Sequence, residues 1–143
     1  MNAHFADGAS KSPKPEHARL SCYFNYDGGA GRIRGVYLQG NDLARPVFED
    51  WLTPFHDLGA RTVSPRAVHG SDHDCYDAVG LPGFQFIQDP LDYFTRTHHS
   101  NMDLYDRAPP GDLMQSAAIL ASFIYNAATR NDMLPRKPAH PAF

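Results

Sequence analysis

Two short stretches of this chain concentrate side chains that do chemistry. Thr95-Arg96-Thr97-His98-His99-Ser100-Asn101-Met102-Asp103 puts two imidazoles, several hydroxyls and a carboxylate into a segment with no helical or strand period. A neutral imidazole offers a ring nitrogen to a metal, and nearby Asp or Ser groups fix its orientation. Adjacent histidines are also common in solvated loops, so residue type alone does not separate a ligand from a surface group. Val68-His69-Gly70-Ser71-Asp72-His73-Asp74 is the second cluster. Asp72 and His73 side by side suit outer partners of a metal site or contacts to a substrate. Ser71 or Asp72 equally suits the cap of a short helix over Cys75 to Val79, closed by Gly80. A Ser-His-Asp nucleophile is disfavoured, because the chain has no Gly-x-Ser-x-Gly elbow to present the hydroxyl. Asp27 completes the set. It ends a strand pattern beside Gly28 and Gly29, where backbone approaches a ligand closely, although Asp also commonly starts turns.

These groups need elements to position them. Leu20, Cys22 and Phe24 alternate with Ser21, Tyr23 and Asn25, which predicts a strand over Arg19 to Tyr26. Ile33 to Leu38 reads as a second strand, and the glycines between the two read as a turn. Their spacing is not the dinucleotide fingerprint, and a strand follows where that motif needs a helix. Val47, Phe48, Trp51, Leu52 and Phe55 make a helical stripe, with Pro46 in its first turn and Gly59 as its stop. Thr62 and Val63 predict a short strand. Phe84 to Ile87 is an apolar run suited to a buried strand, and Gln88 to Leu104 is the loop after it. Loops that follow buried strands are where α/β folds keep their chemistry. Leu113, Ala117, Leu120, Ala121, Ile124 and Ala128 form the expected inner face of a long final helix, with Asp112 near its positive end and Arg130 near its negative end. About four strands alternating with two substantial helices predict an α/β layered sheet.

Composition narrows the classes. A chain of 143 residues with 42% hydrophobic residues is one globular domain's worth. A net charge of −3 gives no basic patch for nucleic acid. No window is apolar enough to span a membrane, and no signal peptide is visible after Met1. Cys22 and Cys75 are too few for a disulfide scaffold and lack zinc-finger spacing. Residues 1–17 read as a polar lead-in, with Ser12-Pro13-Lys14-Pro15-Glu16 extended or turned. Residues 135–143 read as a Pro-rich tail.

Longer motifs carry a resemblance. Phe24-Asn25-Tyr26-Asp27-Gly28-Gly29-Ala30-Gly31-Arg32-Ile33-Arg34-Gly35 resembles the strand and turn of co-catalytic di-zinc exopeptidases, in the carboxypeptidase Q (plasma glutamate carboxypeptidase) and aminopeptidase family. Gly70-Ser71-Asp72-His73, Phe84-Gln85-Phe86-Ile87-Gln88-Asp89-Pro90 and the Thr95 to Asp106 segment are similar to the same branch, in the same order. The resemblance implies a three-layer α/β/α peptidase domain around a mostly parallel mixed sheet. It implies two zinc ions in the complete domain, a short peptide or dipeptide substrate, and hydrolysis assisted by a general base. Two metals about 3.5–4 Å apart polarise the scissile carbonyl and supply hydroxide at neutral pH. Carried over by position, Asp27 resembles the carboxylate ligand of one zinc and His99 the imidazole ligand of that same zinc. Ser71, Asp72 and His73 resemble the loop lining the pocket, behind the ligands.

The departures matter as much. The family's other His ligand, its bridging Asp and its Glu-Glu pair lie upstream of the strand matching Leu20 to Asp27. His4 and Asp7 do not replace them, and His69 stands where relatives more often have Gly. The expectation is therefore residues 18–134 as the C-terminal half of a zinc exopeptidase domain. It has no catalytic base in this chain and at most one partial zinc site. The alternative is an inactive remnant, or a subunit that needs a separate N-terminal half or self-association. Members of this branch are commonly exported, which leaves the compartment of this chain open.

Overall fold

The computed structural model describes residues 13–138. The lead-in through residue 12, with His4 and Asp7, and tail residues 139–143 lie outside the described residues. In chain order the elements are α1 (Pro15–Arg19), β1 (Tyr23–Asn25), β2 (Ile33–Tyr37), α2 (Arg45–Leu52), β3 (Thr62–Ser64), α3 (His73–Asp77), β4 (Gly83–Gln88) and α4 (Pro110–Thr129). The strands form one sheet in the order β1-β4-β2-β3. β1 runs parallel to β4 and β2 parallel to β3, while β2 and β4 are antiparallel. The sheet is therefore mixed. β1 and β2 follow one another in sequence but β4 lies between them, so the glycine turn is a crossover and not a hairpin.

Strand alternation divides the chemistry between two faces. Phe24, Phe84 and Phe86 point to one face. There α2 and α4 cover them through Phe48, Trp51, Ile119 and Phe123. Asn25, Gln85 and Tyr37 oppose one another across three strands on the other face. α3 lies on that side, with Tyr76 stacked on Tyr23 at 4.1 Å between ring centroids. Gly83 permits this approach, since a Cβ there would sit 2.5 Å from the His73 carbonyl oxygen. The result is a partial three-layer α/β/α arrangement.

Three local expectations change. β1 is shorter than Arg19 to Tyr26: Arg19 ends α1, and pairing with β4 begins only at Tyr23. Pro15 in the first turn and Glu16 near the positive end favour a helix where an extended linker was expected. The tail also packs back: Leu134 is buried in the core, and the Arg136 guanidinium donates to the carbonyls of His17 and Leu20. The largest change concerns α4. Leu113, Ala117, Ala121, Ile124 and Ala128 face outward, and the buried positions are Gln115, Ser116, Ile119 and Phe123. α4 is apolar on more than one side, so periodicity alone does not select the inner face. Phe123 selects it, with its ring 5.2–5.7 Å from those of Phe24, Phe48, Trp51 and Phe86. Gln115 reinforces the choice. Its side-chain amide accepts from the Ile33 N–H at 3.0 Å and donates to the Ile33 carbonyl at 2.9 Å, satisfying both main-chain groups.

Candidate functional site

The site lies at the carboxyl ends of the parallel pair β1 and β4, where open α/β sheets hold ligands. Asp27 leaves β1 on a turn that Gln88 clamps. The Gly28 N–H donates to Gln88 Oε1 at 2.8 Å, and Gln88 Nε2 donates to the Gly29 carbonyl at 2.5 Å. The glycines serve close packing and not a phosphate. Gly29 has φ +91°, and a Cβ there would meet Tyr93 at 2.9 Å; at Gly31 a Cβ would collide with the Asp89 carbonyl.

The loop after β4 is more regular than its sequence suggests. Residues Tyr93–Thr97 form a π-helical turn. The His98 N–H reaches back five residues to the Tyr93 carbonyl at 2.9 Å. Such turns recur at functional sites. Just beyond it His99 adopts φ +54°, a left-handed conformation uncommon for residues other than glycine. The rings of His98 and His99 stack at 3.9 Å, and His98 also packs against Tyr93 at 4.8 Å. Asp27 and His99, far apart in sequence, line one cavity of about 400 Å³ together with Tyr93, His98 and Asp103. Burial pushes the Tyr93 phenol up, and the charges of Asp27 and Asp103 push it further, so it remains a protonated donor at neutral pH.

The second sequence cluster reaches this site from behind. The Ser71 hydroxyl donates to Asp27 Oδ2 at 2.5 Å and accepts from Asn25 Nδ2 at 2.8 Å. Asn25 Nδ2 also lies 2.5 Å from Gln85 Oε1 and 3.4 Å from His73 Nδ1. His73 is 1% exposed, and its Nε2 is 2.8 Å from the Val68 carbonyl. A carbonyl only accepts, so Nε2 carries the proton, and Nδ1 faces the Asn25 amide, whose two hydrogens are directed to Ser71 and Gln85. The chain of bonds runs from Gln85 through Asn25 and Ser71 to one oxygen of Asp27, with His73 packed beside Asn25. It fixes the rotamer of that carboxylate. His73 is thus a positioning group, and Ser71 touches Asp27 instead of capping α3. Asp72, grouped with these two on sequence, is not brought in: it is exposed at the start of α3 and its side chain makes no capping bond.

Sequence reasoning missed Asn25, Gln85 and Gln88, which hold the Asp27 turn, and Arg107, which lines the same cavity as Asp27. Polar residues on a strand this short were the available signal for the first two. Arg107 belongs to no motif. Among the described residues no three His, Cys, Asp or Glu side chains converge as a metal site. The donor chemistry at Asp27 and His99 suits zinc, while the count falls short of the three or four protein ligands that zinc sites use.

A search of family models gave no match. Individual proteins do match. The chain is 29% identical to carboxypeptidase Q of Rattus norvegicus over 132 residues, covering 90% of this chain and 28% of that protein. It is 28% identical to carboxypeptidase Q of Homo sapiens over 119 residues, covering 83% of this chain and 25% of that protein. A crystal structure of a peptidase M28 precursor from Shewanella amazonensis superposes with a TM-score of 0.67 at 29% identity, over 82% of this chain and 27% of that one. The chain is thus similar to carboxypeptidase Q and, in fold, to an M28 peptidase precursor. It spans about a quarter of the length of the relatives it matches.

Proposed function

We propose that the chain carries part of a zinc-dependent exopeptidase centre that acts on dipeptides or short peptides. The observation that carries this reading is the convergence of Asp27 and His99 on one cavity, with Asp27 held by Ser71. Asp27 through its remaining oxygen and His99 through its imidazole would hold one zinc. The ion, when bound, supplies a Lewis acid and an activated water. Ser71, Asn25 and His73 fix the carboxylate so that little ordering remains to be done on binding. Tyr93 keeps a phenolic proton available at the cavity wall. The general base and the other ligands expected from the relatives have no counterpart in this reading, so the chain alone is incomplete.

Zinc titration of the purified 143-residue chain, followed on its imidazole resonances and by amine release from a dipeptide, tests this. The expected result is weak zinc binding sensed at His99, lost in Asp27→Ala and His99→Ala, with no turnover. Zinc binding unchanged by both substitutions would remove the proposed site. Turnover by the unaccompanied chain would remove the proposed incompleteness.

A second reading makes the chain a non-catalytic remnant, or a subunit completed by a separate N-terminal half or by its own copy. Two features support it: β1 ends the sheet with no strand on its outer side among the described residues, and α4 presents Ile124 and Met114 outward at 52% and 69% exposure.

A further inference from the structure

We infer that the outward face of α4 pairs with the same face of a second copy, antiparallel, about a two-fold axis at Ala121. None of the residues involved lines the two cavities at Asp27, so the inference stands apart from the peptidase reading. Residues three, four and seven positions from Ala121, in either direction, share its face of the helix. They are Met114, Ala117, Ala118, Ile124, Tyr125 and Ala128, and all of them, with Ala121 itself, are exposed. A continuous apolar strip of this kind marks an interaction surface, unlike single apolar residues scattered over a protein.

The order of large and small side chains says what covers the strip. In an antiparallel pair centred on Ala121, each residue before it meets the residue equally far after it in the other copy. Met114 then faces Ala128, Tyr125 faces Ala117 and Ile124 faces Ala118, each twice by symmetry. Every large side chain has a small one opposite, as ridges packed into grooves require. Two apolar hollows beside α4 extend the fit. Ala117 lines one with Tyr26 and Leu120, and Ala128 lines the other with Cys22 and Phe24, so Tyr125 and Met114 of the copy have hollows to enter. A parallel pair would set Met114, Ile124 and Tyr125 each against itself. A different partner would not require the strip to complement itself, so the mirror order singles out a second copy. Charge favours the same sense. α4 has no charged residue between Asp112 and Arg130, which stand equally far from Ala121, and antiparallel pairing brings these oppositely charged ends together. Asp112 is also held by Arg32 at 2.8 Å, so the charges orient the pair more than they strengthen it. Area sets the affinity. A helix of 20 residues is about 30 Å long, and a strip about 10 Å wide covers about 300 Å² on each copy. The total of about 600 Å² is roughly half of what the smaller stable interfaces bury. The dimer is therefore weak, forming at high micromolar to millimolar concentration.

The test uses the 143-residue chain. Sedimentation equilibrium from micromolar to millimolar concentration should give a monomer–dimer equilibrium. Ile124→Lys should raise its dissociation constant at least about tenfold, since the ammonium would be pressed against Ala118 without a partner. Tyr125→Lys, set against Ala117, should do the same and replaces it should Ile124→Lys fold poorly. Cross-linking reads the register. The background is Cys75→Ala, and the Cys22 thiol, pushed up to about 12 by burial, reacts slowly. There a short bismaleimide should join two copies of Ala121→Cys. It should fail with Ala128→Cys, whose two copies lie about 21 Å apart along the helix axes. A chain that stays monomeric at millimolar concentration would leave the face to a different occupant and overturn the inference. Association that ignores both lysine substitutions, or Ala128→Cys joining as fast as Ala121→Cys, would overturn it as well.

Discussion

Asp27 illustrates how much of a site rests on residues that never touch the ligand. Its Oδ2 is committed to Ser71, and Ser71 is held by Asn25, whose amide also reaches Gln85 and His73. Removing the hydroxyl should free the carboxylate to rotate without unfolding the chain. Ser71→Ala is therefore expected to weaken zinc binding about tenfold or more, with the melting curve little changed. A collapse of the fold in that variant would show that the hydroxyl serves structure instead. The paired imidazoles separate in the same assay. His99→Ala should abolish the zinc response and His98→Ala should reduce it far less, since His98 is spent on packing against Tyr93. Equal loss would assign the ligand to both. Asp74 yields a pH effect. Burial pushes its carboxyl up, but the Gly70 N–H at 2.6 Å and the His69 ring at 2.9 Å outweigh that and hold it below the usual range. A lowered folded-state pKa stabilises the fold above the ordinary aspartate value, and that contribution disappears as pH falls through the lowered one. Thermal melts of the wild type and Asp74→Asn should thus differ near neutrality and converge in acid.

At the scale of elements, α4 gives the sharpest contrast between pattern and outcome. Phe123→Ala empties a position surrounded by four aromatic rings and should cost about 3–5 kcal/mol in denaturant unfolding. Ile124→Ala, one residue away and 52% exposed, should cost less than about 1 kcal/mol. The reverse order would restore the face that periodicity suggests. The strands and helices other than α1 were legible. Ile33 to Tyr37, Thr62 to Ser64 and the run ending at Gln88 have the alternation or apolar density that strands require, and proline marks the start of α2. Asp27 was singled out by its place at a strand end and His99 by motif resemblance, and the two line one cavity. Spacing does not tell how two neighbouring histidines are set at a cavity that both of them line, because that depends on a π-turn and a left-handed residue. The hold on Asp27 was not legible, since Asn25 and Gln85 become neighbours only when β1 pairs with β4. Local propensity does not encode that pairing.

For the whole molecule, the side of β1 that no strand pairs among the described residues and the outward apolar face of α4 suggest association at high concentration. Ile124→Lys should lower the sedimentation-derived mass at a fixed concentration while leaving stability nearly unchanged. Half-buried Cys22 offers little route to cross-linking: desolvation pushes its thiol up to about 12, against a smaller opposing hydrogen bond from Ser21, so it should react slowly with disulfide reagents at neutral pH. The amide of Gln115 has a wider mechanical meaning. Because it grips both main-chain groups of Ile33, α4 is notched against β2 like a bolt in a detent. Sliding the helix by one turn, about 5.4 Å, would break both bonds at once. The notch therefore holds α4 in one register against β2, and a loosened Gln115 would leave both main-chain groups of Ile33 without their partner.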